Sequence, residues 1–252
     1  MSESTPSGTE QNPFTLPGFI ISAALVLALI AAVAVIFFLP KDNSTAQPAP
    51  AAPADTSAPA APATSAAAAG KSICGLPSST ETALGAAPRS TWELVGKMAA
   101  PTDPTTIGPG TTDEDGFRSC FAHSPTGALY SAMNVAALGS TGSPQLNAKL
   151  ADQLLVPGMG RDAAIKEAAG MVAAGGSDTS AQVKGFAIKS YTPSEANIDL
   201  AFETSKGAFV HTVLSMRWMD GDWKVKPADD GVTFSGVAQL SDLSGFIAWS
   251  GV

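Results

Sequence analysis

Two histidines, two cysteines and a few short acidic clusters are the residues of this 252-residue chain that could do chemistry. His123 stands three positions after Cys120, immediately before Ser124-Pro125. Its place beside a helix start reads as a side chain that holds the turn by hydrogen bonding, rather than as a ligand or catalyst. His211 alternates with Phe209, Val213 and Arg217, which places it on the outer face of a strand, whereas proton transfer needs a cleft that tunes the imidazole. Asp113-Glu114-Asp115 is the densest acidic run, but it lacks the regular ligand spacing of a calcium loop and reads as a solvated loop. Asp220 with Asp222, and Asp229 with Asp230, read as turn residues. Gly158-Met159-Gly160 precedes a helix but has neither a strand before it nor a third glycine, so it is no nucleotide cradle. The Asn43-Ser44-Thr45 sequon lies close to an apolar run. No catalytic residue, cofactor-binding residue or metal ligand is expected.

Cys74 and Cys120 form no C-x-x-C pair. The expectation is one disulfide closing a loop of about 45 residues, worth roughly 4 kcal/mol in the chain-entropy model, and persisting only in an oxidising compartment. Spacing alone also allows two buried thiols in a reducing one.

The elements that would position these residues fall in the second half of the chain. Ser124-Pro125 and Ser143-Pro144 each supply an N-cap followed by proline at the first helical position. Leu129, Ala132, Met133 and Ala136 then recur at helical spacing, as do Leu146, Leu150 and Leu154. A third helix is predicted from about Arg161 to Ala174, with Gly175-Gly176 as its stop. The period then drops to two. Strands are predicted over Gln182–Tyr191 and around Ile198, Leu200 and Phe202, then along Val210, Leu214, Met216 and Trp218, with Asp220-Gly221 turning the chain into Trp223 and Val225. With the apolar parity inward, Leu200, Phe202, Leu214, Met216, Trp218 and Trp223 form the core and no titratable group faces it. Residues 71–123 are punctuated by prolines and look irregular, with Thr91–Val95 the single plausible strand.

Phe19–Leu39 is 21 residues without a charge, bracketed by Pro17-Gly18 and Pro40, and reads as one transmembrane helix. The preceding 18 residues hold no Lys or Arg, unlike the start of a cleaved signal peptide. Ser44–Gly70 is almost all Ala, Pro, Ser and Thr and cannot bury a core, so residues 40–70 read as a disordered linker reaching roughly 80 Å if extended. The predicted organisation is a cytoplasmic tail (1–18), the span (19–39), the linker (40–70), a disulfide-stapled irregular segment (71–123), the folded domain (124–230) and a C-terminal extension (231–252). Lys plus Arg number 14 against 22 acidic residues, and no basic run interleaves with aromatics, so nucleic acid is not an expected partner.

Helices followed by an antiparallel meander make an α+β chain. Three helices before a strongly curved four-stranded sheet, ending in Met216-Arg217-Trp218-Met219-Asp220-Gly221-Asp222-Trp223, resemble the cone-shaped nuclear-transport-factor-2-like (NTF2-like) fold. Cys74-Gly75-Leu76-Pro77, Thr91-Trp92-Glu93 and the run from Asp115 to Leu129 resemble a family of actinobacterial single-pass membrane proteins that accompany conjugative-transfer machinery. The resemblance covers roughly residues 74–228 and carries no catalytic residue. It implies an extracytoplasmic domain on the cytoplasmic membrane, similar to the bitopic assembly subunits of type IV secretion systems. The expected function is a non-enzymatic assembly or scaffold protein that contacts the bilayer through residues 19–39 and binds other envelope proteins or further copies of itself. The alternative is a small-ligand or cell-wall binding module using the cone cavity; an isomerase- or hydratase-like enzyme ranks last.

Overall fold

The structure, a computed structural model, describes residues 70–171 and 180–251. The expected tail, transmembrane helix and nearly all of the expected linker lie outside them. Among the described residues no helix is long and apolar enough to cross a membrane.

Strands β1 (Thr91–Val95) and β2 (Met98–Thr102) form an antiparallel hairpin, and β3 (Thr111–Thr112) pairs with β4 (Arg118–Ser119). Three helices follow: α1 (Pro125–Gly139), α2 (Pro144–Gln153) and α3 (Met159–Gly170). Then come β5 (Ala181–Thr192), β6 (Glu195–Thr204), β7 (Phe209–Met219), β8 (Asp222–Val225), β9 (Ser235–Leu240) and β10 (Ile247–Ala248). These last six form one antiparallel sheet in the order β10-β5-β6-β7-β8, with β9 added to β7 beyond the end of β8.

The expected four-stranded NTF2-like cone is therefore corrected. The sheet has six strands, because the edge of β7 that β8 leaves open at Phe209–Val213 is taken by β9, and β10 caps β5 at Gly185 and Phe186. Residues 231–251 contribute β9 and β10 to the sheet. The segment 71–123 holds four strands instead of one; β2 escaped notice because Pro101 cannot donate to a ladder, yet here its carbonyl accepts from Asn134 Nδ2 at 3.1 Å. The third helix starts two residues earlier than expected and ends at Gly170, where Met171 turns extended.

Helix α1 fills the inner side of the sheet. Ser124 Oγ accepts from Gly127 N at 3.0 Å, an N-cap that sets the helix start. Gly127 is obligatory, since a Cβ there would lie 1.9 Å from the carbonyl oxygen of Ala122. Leu129, Met133 and Leu138 are fully buried, and the helix's two buried polar side chains are bonded: Ser131 Oγ donates to Trp223 O at 3.1 Å, and Asn134 Nδ2 donates to Pro101 O and Tyr130 O.

A disulfide joins Cys74 to Cys120. Cys120 adopts a left-handed backbone (φ 65°), which a non-glycine residue keeps only when its surroundings hold it. The holding group is Asp222, 6% exposed at the start of β8. Its carboxylate accepts from Cys120 N at 2.7 Å, Phe121 N at 2.8 Å and Trp223 N at 2.8 Å. Beside it, Ile73 N donates to Gly221 O at 2.8 Å, so the β7–β8 hairpin also grips the chain just before the disulfide.

Burial pushes the Asp222 carboxyl up to about 6, against the opposing pull of the three N–H donors and Lys224. The folded state thus binds this proton more tightly than the unfolded chain, whose carboxyl titrates near 3.8. The proton-linked stability is present below about 3.8 and is lost as pH rises through about 6. Asp222→Asn cannot titrate and places an NH₂ against an N–H donor, which costs about 1–3 kcal/mol in protonation-independent terms. Urea unfolding of both proteins from pH 3.5 to 7 should show the wild-type advantage shrinking by about 3 kcal/mol over that range. A pH-independent difference would show that the carboxylate is not desolvated.

Candidate functional site

On the sheet's inner face, Leu200, Leu214, Met216 and Trp223 have no exposure and Phe202 very little. Trp223 Nε1 donates to Ala122 O at 3.0 Å. Trp218 is only half-buried, at the rim, where it stacks on His123 with ring centroids 4.0 Å apart and planes 9° from parallel. His123 Nε2 donates to the carbonyl of Pro193, and Nδ1 is buried without a hydrogen-bond partner among the described residues. Tyr191 packs by Trp223, its phenol pushed up to about 12 by burial, so this aromatic cluster carries no phenolate. The arrangement ties the turn before α1 to the β5–β6 turn. Helix α1 packs against the inner face at these residues.

The outer face carries the titratable cluster. His211 lies there, opposite Ala201 in β6 and Ala238 in β9. Asp199, 1% exposed, receives the Nδ1–H of His211 on Oδ1 at 2.9 Å, since an ionised carboxylate can only accept. The ammonium of Lys189 lies 3.3 Å from Oδ2 but out of hydrogen-bonding alignment. Phe246 meets the imidazole edge-on at 6.0 Å. An Asp–His pair fixes the imidazole tautomer and can serve a general base, yet a base needs a reacting group within reach. The pair links β6 to β7 with Phe246 against the imidazole, and His211 also borders an apolar hollow of about 220 Å³. Asp199 was passed over in the sequence because alternation assigned its face to solvent. The available signal was Phe246-Ile247, an apolar pair after Gly245 able to cover that face.

The acidic loop is neutralised from within the chain. Lys149 Nζ reaches Asp113, lies 3.0 Å from Asp115 Oδ2, and sits 4.7 Å from the Phe117 ring centroid. The backbone N–H of Phe117, then Lys149, holds the Asp115 carboxyl below its usual range. An ammonium thus fills the place that a cation would take. Among the described residues no group of three or more His, Cys, Asp or Glu could hold a metal. Asp220 forms the turn at φ 54° and pairs with Lys224 at 3.1 Å.

One hollow was invisible in the sequence, because it forms where three helices meet a distant loop. It is an open groove of about 410 Å³ between α1, α2, α3 and residues 231–234. Val135, Leu150, Leu155, Ala164, Ala168 and Phe234 line it, with Met171 at one end and Glu167 at the margin. A second apolar hollow of about 220 Å³ lies by Met98, Phe202, Val210 and Val237, and shares Phe234 with the first. Its walls are mainly apolar, with Ser140, Asn147, Thr233 and Glu167 as the polar side chains among them, so it supplies shape and apolar contact.

Asp199→Asn should lower stability by about 1–3 kcal/mol, because the new NH₂ would point at Lys189 while a buried position loses its charge partner. His211→Gln should cost less, since the imidazole is partly exposed. Chemical denaturation of the two variants tests this ranking; the reverse order would show that the link works through the ring's packing on Phe246.

No curated protein and no solved structure matches the chain. Residues 42–248, most of the chain and all but the last three described residues, match one family model, described as a domain of unknown function, DUF8175. That coverage takes in both hairpins, the helical groove and the six-stranded sheet, and the chain belongs to the DUF8175 family.

Proposed function

We propose that the chain is a non-enzymatic assembly subunit working outside the cytoplasm, held at the cytoplasmic membrane by residues 19–39 and presenting the helical groove to another envelope protein. The observation that carries this reading is the open apolar groove on a domain whose sheet packs its inner face against α1. A surface trough with mainly apolar walls suits an apolar ridge of a partner better than a small polar substrate. The Cys74–Cys120 bond supports the oxidising side of the membrane, where such a link persists. The likeness of residues 74–228 to proteins that accompany conjugative transfer makes a conjugative, type IV secretion-like apparatus the candidate machine.

Met171→Glu places a carboxylate at the edge of the groove, where the side chain is already partly exposed, and should leave the fold intact. An unpaired charge in a dry contact costs about 2–3 kcal/mol, about 30- to 150-fold in partner affinity. Conjugative transfer should fall with Met171→Glu at an unchanged melting temperature. It should persist with any folded His123→Ala or His211→Ala variant. Loss of function on removing one histidine at unchanged stability would favour an enzyme, and full transfer by Met171→Glu would remove the groove from the reading.

A further inference from the structure

The β7–β8 hairpin gathers cations on its outer face. Arg217 in β7 stands directly opposite Lys224 in β8, and Lys226 follows on the same parity, its backbone N–H donating to Ser215 O at 2.7 Å. Like charges directly opposite each other in an antiparallel pair oppose folding. Two carboxylates offset them: Glu195 Oε1 lies 3.0 Å from Arg217 Nε, and Asp220 Oδ2 lies 3.1 Å from Lys224 Nζ. Lys226 is left over. Among the described residues no carboxylate pairs with it, although Asp229 and Asp230 follow it in a chain with 22 acidic residues against 14 basic ones. Asp230 Oδ1 accepts instead from Val232 N at 3.1 Å.

These charges border a hollow. About 280 Å³ in volume, it is lined by Ser215, Arg217, Lys226, Thr233 and Ser235, with Val232 among its apolar walls. Ser215 Oγ donates to Asn197 Oδ1 at 2.8 Å and Ser235 Oγ to Val213 O at 3.1 Å, so both serine protons are committed. Arg217 is held at Nε by Glu195 and at Nη1 by the carbonyl of Met216 at 3.0 Å. The groups left uncommitted among the described residues are Arg217 Nη2, the Lys226 ammonium and the Thr233 hydroxyl, all of them donors. The volume falls just below the range of about 300–1,000 Å³ that buries a drug-sized ligand. It suits an ion or a headgroup.

We propose that this hollow binds a phosphate group, with Arg217 Nη2, Lys226 Nζ and Thr233 Oγ1 as its donors. An anion there offsets the repulsion between Arg217 and Lys224 and supplies the counter-charge that Lys226 lacks. The three donors come from three segments: β7, the residue after β8, and the approach to β9. Such a set can surround a tetrahedral oxyanion, whereas a planar carboxylate presents only two oxygens, and a guanidinium edge matches phosphate geometry. The chain's net charge of -8 repels anions at long range, so affinity arises from these local contacts and falls as salt rises. Two sources present the same chemistry: inorganic phosphate in solution and the headgroup of an anionic phospholipid. The site goes beyond the groove reading. It lies on the outer face, although Thr233 and Phe234 border both hollows.

The test uses the full chain in dodecyl maltoside micelles, titrated with inorganic phosphate at constant ionic strength. Calorimetry reads affinity, and hydrogen exchange reads the amides from Lys226 to Ser235. The wild type should bind phosphate and protect those amides. Lys226→Gln, at an exposed side chain, should weaken binding by about tenfold or more. Thr233→Val, the second variant, removes a hydroxyl without changing charge and should weaken it by about three- to tenfold. Lys206→Gln, which removes a charge from the exposed β6–β7 turn, should bind as the wild type does. So should Met171→Glu, which separates this site from the groove. Nanodiscs of phosphatidylcholine with and without phosphatidic acid then identify the source. Protection with phosphatidic acid before phosphate is added assigns a lipid headgroup; protection only after phosphate is added assigns the free ion. Absence of protection under both conditions overturns the inference. Equal weakening by Lys206→Gln and Lys226→Gln also overturns it, since general charge would then explain the binding, as does phosphate affinity unchanged in both Lys226→Gln and Thr233→Val.

Discussion

The carboxylate of Asp222 is the point at which the early and late parts of the chain are locked together. Its three backbone donors belong to residues on both sides of the fold's main junction: Cys120 and Phe121 lead into α1, and Trp223 begins the last inner strand. Satisfying them needs a buried charge, which is costly unless fully bonded. With the charge bonded, Cys120 keeps its left-handed backbone, the disulfide partner is presented, and Trp223 enters the core beneath α1. Loss of the carboxylate would leave three buried N–H groups without acceptors and an unsupported turn.

Where the signals were local, the sequence was readable. Ser124-Pro125 and Ser143-Pro144 announced two helix starts, and the caps are there in the bonds to Gly127 N and Leu146 N. The alternation of Ile198, Leu200 and Phe202 and the Asp220-Gly221 turn located β6 and the β7–β8 hairpin for the same reason: period and turn chemistry are written in neighbouring residues. What failed was whatever depended on distant partners. Asp222 read as a turn residue because its donors at Cys120 and Phe121 lie 102 and 101 positions away. β9 shows no alternation, since both of its faces are largely exposed, and β2 hid behind Pro101. Adding β9 and β10 is what turns the expected four-stranded cone into a different sheet.

The outer face illustrates how a terminal segment changes the chemistry of what it covers. Trp249 packs against Trp92 and Phe186 in the core and donates Nε1–H to Ser90 Oγ at 3.0 Å, which fixes β10 at the edge of β5 and leaves Phe246 beside His211 on the outer face. Beneath that cover Asp199 is desolvated and needs His211 and Lys189. The same residues on an open sheet would be ordinary surface charges. The Asp–His pair thus follows from closing the sheet.

The position of the disulfide has a mechanical consequence. A domain held at one end experiences tension along its backbone, and the covalent path from Gly70 runs through Cys74 directly to Cys120. Residues 75–119, including all four strands of the two small hairpins, lie inside the closed loop and cannot be drawn out by a pull on the chain ends. Tension is delivered instead to the start of α1 and to the β7–β8 hairpin, which grips Ile73 and Cys120 at the same place. The first bonds to meet a pull from the N-terminal side are those that tie Ile73 and Cys120 to the β7–β8 hairpin, so residues 75–119 are shielded from load.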